Sequence, residues 1–390
     1  MDRADRVELV TRHTAEVVTE AELEELFADG SRTFYRPRHG TTPMDTAERT
    51  DLVTRYTEEV VAEAEIEALF ETRESPTAYI GYAPTGEMHI GHFTTMRKLV
   101  DFLRAGLDVT VLIADLHAHL DDEKSPFELL DARSTYYREA VEGMIDAAGG
   151  DPGAVEFVRG TDFELDGEYA LELYRTLAET TISRAQRAAS EVVRESDSPT
   201  LGGLVYPLMQ SLDVKALEAD IAYGGIDQRG IYMLSREVLP DHGWREPVCV
   251  FAPLLAGLQG GKQSASDPSS AVYLTDDPET VTTKIDDAYC PVGEAENNGV
   301  LEYVEYLVFP ILAERGEPFV VERSEQYGGD LVYEDYAAVE ADFVSEDLHP
   351  ADLKSAAGSY ISEVVAPVRE RLTDRPDLLR EAYPGRYGGG

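Results

Sequence analysis

Lysine is close to absent from this chain. Six occur in 390 residues, at 98, 124, 215, 262, 284 and 354. Lysine and arginine together number 34 against 76 acidic residues, for a formal net charge of −42. That excess strains a compact state by self-repulsion unless concentrated salt screens it. It also excludes a broad basic stripe as the source of nucleic-acid affinity at low salt. Cysteine is scarce too. Cys249 and Cys290 supply neither a disulfide framework nor a metal-ligand spacing. No apolar run approaches the roughly 18 residues of a membrane span, and the acidic amino terminus lacks the pattern of a signal peptide. The expectation is a cytoplasmic protein with no membrane partner.

What is present is a globular composition, 43% apolar, long enough for two domains with real cores. The front of the chain repeats itself. Residues 1–27 match 44–70 at 18 of 27 positions, and each copy reads as an amphipathic helical segment. The second copy leads straight into an apolar strand and is expected to pack on the domain, with residues 1–43 redundant and loosely held. Beyond it, strand and helix alternate. Strands are expected at 77–82, 108–114, 155–158, 221–223 and 247–251. Helices are expected at 125–148, 166–195, 205–219 and 226–239. Alternation of this kind implies a doubly wound α/β domain with ligands at the carboxyl ends of its strands. After about residue 280 the strand signal fades, and a mainly helical segment is expected.

Pro84-Thr85-Gly86-Glu87-Met88-His89-Ile90-Gly91-His92 joins the strand at 77–82 to a helix whose apolar positions are Phe93, Met96, Leu99, Val100 and Leu103. A helix start offers free N–H groups to a phosphate. Two imidazoles one turn apart can donate to charge that develops on it. Further on, Tyr206, Gln210 and Asp213 form a polar stripe at helical spacing on an otherwise apolar segment. A rival constellation is Asp115, His117, His119 and Asp121. Placed on a strand end, their side chains would share one face and could hold a metal for hydrolysis.

The run at 78–92 is the signature of class I aminoacyl-tRNA synthetases. From Thr77 to Lys354 the chain resembles the tyrosyl-tRNA synthetases of archaeal and eukaryotic type. The resemblance rests on AYIGYAPTGEMHIGH at 78–92, ADLHAHLDD at 114–122, VYPLMQSLDVKAL at 205–217 and DIAYGGIDQR at 220–229. AYCPVG at 288–293, YGGDL at 327–331 and LHPADLK at 348–354 extend it. The diffuse acid excess is similar to that of proteins from halophilic archaea.

The resemblance implies a Rossmann-like catalytic domain with a parallel sheet at 44–258 and a signature-loop linker at 259–280. A helical anticodon-binding domain follows at 281–390. It implies activation of L-tyrosine with ATP, accompanied by Mg²⁺ and no protein-bound metal, then transfer to tRNA(Tyr) by a homodimer. His89, His92 and Lys262 would be catalytic. Tyr79 and Asp213 would meet the phenol, and Tyr206, Gln210 and Gln228 the α-ammonium. Gly81, Gly91, Gly224, Gly225, Asp227, Lys262, Ser264 and Ser266 would surround ATP. Tyr327, His349 and Asp352 would read the anticodon, with Arg229, Arg184 and Arg187 toward the acceptor stem. The family's mobile Lys-Met-Ser-Lys-Ser or Lys-Met-Ser-Ser-Ser loop is represented by Lys262-Gln263-Ser264-Ala265-Ser266. Its glutamine and alanine depart from the pattern, as does Ala351 from an expected methionine. The departures leave open a weakened paralogue that binds tyrosine or tRNA without efficient activation.

Overall fold

Six short apolar runs pair into one sheet: β1 (Glu59–Val61), β2 (Thr77–Tyr82), β3 (Asp108–Ile113), β4 (Val155–Arg159), β5 (Ile221–Gly225) and β6 (Val248–Ala252). The computed structural model describes residues 44–121, 125–192, 200–260 and 271–388. Thr41–Gly390 forms one compact unit. The first copy of the repeat and the Lys262 loop lie outside the described residues.

Strand order is β1-β6-β5-β2-β3-β4. All neighbours are parallel except β1, which runs antiparallel along β6 with Val60 opposite Val250. From β2 the chain winds outward through β3 and β4, then returns to the other side through β5 and β6. The winding reverses between β2 and β5, where a crevice opens at the strand ends. β6 is buried along its whole length, as a strand covered on both faces must be.

The second repeat copy is not continuously helical. It forms α1 (Thr46–Thr54), then β1, then α2 (Ala64–Thr72). Tyr56 and Ala62 break it with left-handed backbone (φ 56° and 65°), and the β-branched Val60-Val61 pair joins the sheet edge. Lys98, on α3 (Ile90–Arg104), fixes this copy in place. Its buried ammonium donates to the carbonyls of Leu52 (2.7 Å) and Arg55 (2.6 Å) and faces Asp101.

Helices α4 (Asp115–Leu120), α5 (Leu130–Ala147), α6 (Gly167–Glu179), α7 (Ile182–Ala189), α8 (Leu201–Ala216) and α9 (Arg229–Val238) complete this half. The single helix expected at 166–195 is broken. Thr180 and Thr181 are extended, because two adjacent β-branched residues resist the helical turn. After the Lys262 loop come α10 (Pro278–Asp286), α11 (Gly299–Tyr303) and α12 (Phe309–Arg315). A π turn at Val304–Val308 separates the last two, just ahead of Pro310, which has no N–H for the ordinary ladder. A two-stranded ribbon of β7 (Phe319–Val321) and β8 (Leu331–Tyr333) interrupts the expected all-helical run. α13 (Tyr336–Val344), α14 (Pro350–Thr373), α15 (Pro376–Ala382) and α16 (Pro384–Tyr387) follow. One apolar core runs from Val53 through β2 and α3 to Val365 and Tyr383. Among the described residues no helix is long and apolar enough to cross a membrane.

Candidate active site

β2 ends at Tyr82, and the chain turns through Pro84–Met88 before α3 begins. Three successive carbonyls of that turn accept from side chains. Ser125 Oγ reaches the Pro84 carbonyl (2.9 Å), and Arg133 that of Thr85 (2.6 Å). The Tyr137 and Tyr383 hydroxyls meet at that of Gly86 (2.8 and 2.7 Å).

The start of α3 departs from the expected anion site. His89 is the N-cap, and its Nδ1 accepts the Gly91 N–H (3.2 Å). The His92 Nδ1 in turn accepts the His89 N–H (3.2 Å). Ile90 N–H goes to the Val272 carbonyl and His92 N–H to that of His89. No backbone N–H of the first turn through His92 is therefore left for a phosphate. The consequence is a fixed tautomer. With both Nδ1 atoms accepting, the ring protons sit on Nε2, where they can be donated outward. Burial holds the His89 pKa well below the ordinary value, with His92 adding to it, and lowers His92 to about 4. Both rings, 4.1 Å apart, are neutral donors at neutral pH.

β2 and α8 also gather a set of buried polar side chains. Tyr79 is buried, edge-on to Tyr232, with its hydroxyl 3.4 Å from the Gln210 carbonyl. Asp213 is fully buried. Its Oδ1 accepts from the Tyr169 hydroxyl (2.7 Å), and His117 Nε2 stands 3.5 Å from its Oδ2. The other nitrogen of His117 faces Glu164 Oε1 at 3.4 Å. Burial opposes charge on His117, but Glu164 and then Asp213 outweigh it and raise its pKa to about 9. Burial and Glu164 push Asp213 upward as well. Gly160 makes room for this arrangement, since a Cβ there would lie 2.6 Å from Glu164 Oε1. Tyr206 packs edge-on against His117 (4.7 Å). Gln210 donates to Gln228 (3.0 Å), leaving its Oε1 and Asp213 Oδ2 without a protein hydrogen-bond partner. A pocket of this make-up can take a ligand bearing a hydroxyl at one end and a cationic group at the other.

The rival metal constellation is not assembled. Asp115–Leu120 is a helix, so His117 and His119 point about 200° apart. Asp115 is saturated by Arg159 and Thr161, and His119 lies against Phe127 and the Ser125 carbonyl. His117, Glu164 and Asp213 do bring three donor atoms within 4.8 Å of one another. An imidazolium between two carboxylates satisfies that set and has no lone pair for a metal.

The family described as tRNA synthetases class I (W and Y) matches residues 71–366. The tyrosine–tRNA ligase of Haloarcula marismortui is 73% identical over 388 residues, 100% of this chain and 99% of the relative. That of Natronomonas pharaonis is 70% identical over 99% of this chain and 100% of the relative. The crystal structure of tyrosyl-tRNA synthetase complexed with L-tyrosine from Archaeoglobus fulgidus superposes with a TM-score of 0.79 at 41% identity. It covers 84% of this chain and all of its own. The chain belongs to the class I tRNA synthetases.

In this synthetase Gly224 and Gly225 end β5 where the winding reverses, and side chains crowd both. A Cβ at 224 would meet Gln228 Cγ at 3.1 Å, and at 225 it would meet Asp227 Oδ1 at 2.6 Å. Gly81 lies on β2 beside Leu112, and Gly91 opens α3. Arg229 and Arg184 are both engaged within the fold, Arg229 in a two-point pair with Glu59 (2.5 and 2.9 Å) and Arg184 with Glu237. Lys262, Ser264 and Ser266 lie outside the described residues. In the carboxy-terminal half Tyr327 is 68% exposed on a 3₁₀ turn, and His349 caps α14 with Asp352 one turn in. Arg323 ties the two segments together through the Gly329 and Asp347 carbonyls. Glu164, Tyr169 and Tyr232 were not singled out from sequence. Glu164 sits in a loop and the two tyrosines on ordinary helices, and only the fold brings them to Tyr79 and Asp213.

Proposed function

We propose that this protein activates L-tyrosine with ATP and transfers it to tRNA(Tyr) in the cytoplasm. One observation carries the reading. Two buried acceptors without a hydrogen bond in the fold, Asp213 Oδ2 and Gln210 Oε1, lie by Tyr79 of β2, the strand that leads into two imidazoles whose protons sit on Nε2.

Tyr79 and Asp213 hold the phenol, while Tyr206, Gln210 and Gln228 receive the ammonium. A site built around a hydroxyl rejects the analogue without it, since its own polar groups would be stranded. ATP enters as its Mg²⁺ complex, over Gly81, Gly91, Gly224 and Gly225 and beside Asp227. The tyrosine carboxylate attacks the α-phosphate in line, and the Nε2–H groups of His89 and His92 donate to the charge that develops. Because both rings are neutral, they act by donation rather than by net charge. Lys262, with Ser264 and Ser266, meets the departing pyrophosphate. No covalent enzyme intermediate is needed.

Residues 281–390 read the anticodon. Exposed Tyr327 offers a stacking face, and His349 and Asp352 offer hydrogen bonds to a base edge. Arg229, with Arg184 and Arg187, lies toward the acceptor stem and would exchange an acidic partner for phosphate. The working form is a homodimer, supported by large apolar side chains left exposed between 165 and 201, among them Leu165, Leu171, Tyr174, Ile182 and Leu201, on a highly charged chain.

The test is ATP–pyrophosphate exchange in about 3 M KCl, which screens the charge so that the chain folds. Exchange is expected with tyrosine and not with tryptophan, phenylalanine or no amino acid. Tight tyrosine binding without exchange would instead favour the weakened paralogue, to which Gln263 and Ala265 point.

A further inference from the structure

The last described helix, α16, lies beyond the span matched by the family and reaches back to the histidine turn. Tyr383, just before it, donates to the Gly86 carbonyl (2.7 Å) and packs edge-on against Tyr136 (5.0 Å). Arg133 lies 5.1 Å over the Tyr383 ring and joins the Ala382 and Thr85 carbonyls. Arg386 donates to Glu87 Oε2 (2.7 Å), lies 4.5 Å over the ring of Tyr273, and faces Asp276 at 3.5 Å. The Tyr387 hydroxyl is 2.5 Å from Glu87 Oε1 and 2.9 Å from Thr275 Oγ1. Glu87, its side chain only 7% exposed, is thus gripped at both oxygens by the carboxy-terminal helix.

These contacts bolt together the two segments that define where His89 sits. One is the Thr85–Met88 turn. The other is Val272–Asp276, which pairs with the start of α3. Ile90 N–H goes to Val272, Leu274 N–H goes to Met88, and His89 lies opposite Tyr273, whose ring stands edge-on to the imidazole. We propose that Tyr383, Arg386 and Tyr387 are positioning residues for ATP. They form a carboxy-terminal latch that locks these two segments together and so sets the aim of His89 and His92. None of the three touches the tyrosine pocket, so the latch acts on one substrate. The inference rests on the synthetase reading above.

Initial rates of pyrophosphate exchange, with ATP and tyrosine each varied, test it on full-length wild type, Arg386→Ala, Arg386→Lys and Tyr387→Phe in molar KCl. The KM for ATP is expected to rise about tenfold in Arg386→Ala and about threefold in Tyr387→Phe, with the KM for tyrosine inside twofold. Arg386→Lys should recover part of the loss by keeping the charge on Glu87. Equal rises in both KM values would mark a merely structural role and overturn the latch, as would an unchanged KM for ATP in all three variants. Tyr387→Phe removes a single oxygen and guards against a variant that fails to fold. No exchange from the wild type would instead sink the synthetase reading, and the latch with it.

Discussion

His117 is held between two carboxylates, and its charge is the residue-level feature most open to test. Its pKa is raised to about 9, so its contribution to stability is fully present below the unfolded value near 6.5 and fades as pH climbs through about 9. Thermal melts of wild type and His117→Gln in molar KCl should therefore be far apart at pH 6 and converge by pH 10. A gap that is flat in pH would mean that His117 is not charged in the fold. The motif residues around it were legible because their chemistry is local. His89, Ile90, Gly91 and His92 adjoin in sequence, and Tyr206, Gln210 and Asp213 share one helix. Glu164 and Tyr169 were not, because a carboxylate on a loop and a tyrosine on an amphipathic helix look like surface and core until the chain folds.

At the scale of elements, the carboxyl end of β5 carries two adjacent glycines that are crowded by different neighbours. A Cβ at 224 presses on Gln228 and on Tyr232, 3.2 Å away, while one at 225 presses on Asp227. Gly224→Ala is expected to raise the KM for ATP and, through Gln228, that for tyrosine as well. Gly225→Ala should raise the KM for ATP and leave that for tyrosine near wild type. Pyrophosphate exchange with each substrate varied checks the pair, and identical effects from both would remove the distinction. The strands of the sheet were readable as apolar runs between turns. Element type was misjudged where spacing is ambiguous. Asp115–Leu120 alternates like a strand, yet it follows β3 so closely that it can only turn back as a helix over the strand end. The 166–195 stretch has helical periodicity throughout, and the β-branched pair at 180–181 overrides it.

At the scale of the molecule, a net charge of −42 should keep copies of this chain apart. Against that stands a group of large apolar side chains left in water on one stretch of the chain. Tyr174 is 69% exposed and Leu171 51%, one turn apart on α6, with Ile182 and Leu201 at the starts of the following helices. The two terms respond oppositely to salt. Screening shortens the reach of the repulsion to about 3 Å at 1 M, while apolar association needs no charge and loses nothing to salt. Association through this patch should therefore tighten as KCl rises. Sedimentation in about 3 M KCl is expected to give a dimer, and Tyr174→Asp a monomer, because a charge replaces an exposed apolar ring. A dimer that survives the aspartate would place the contact elsewhere on the surface. A wild-type monomer at molar salt would mean that the patch is left for another partner.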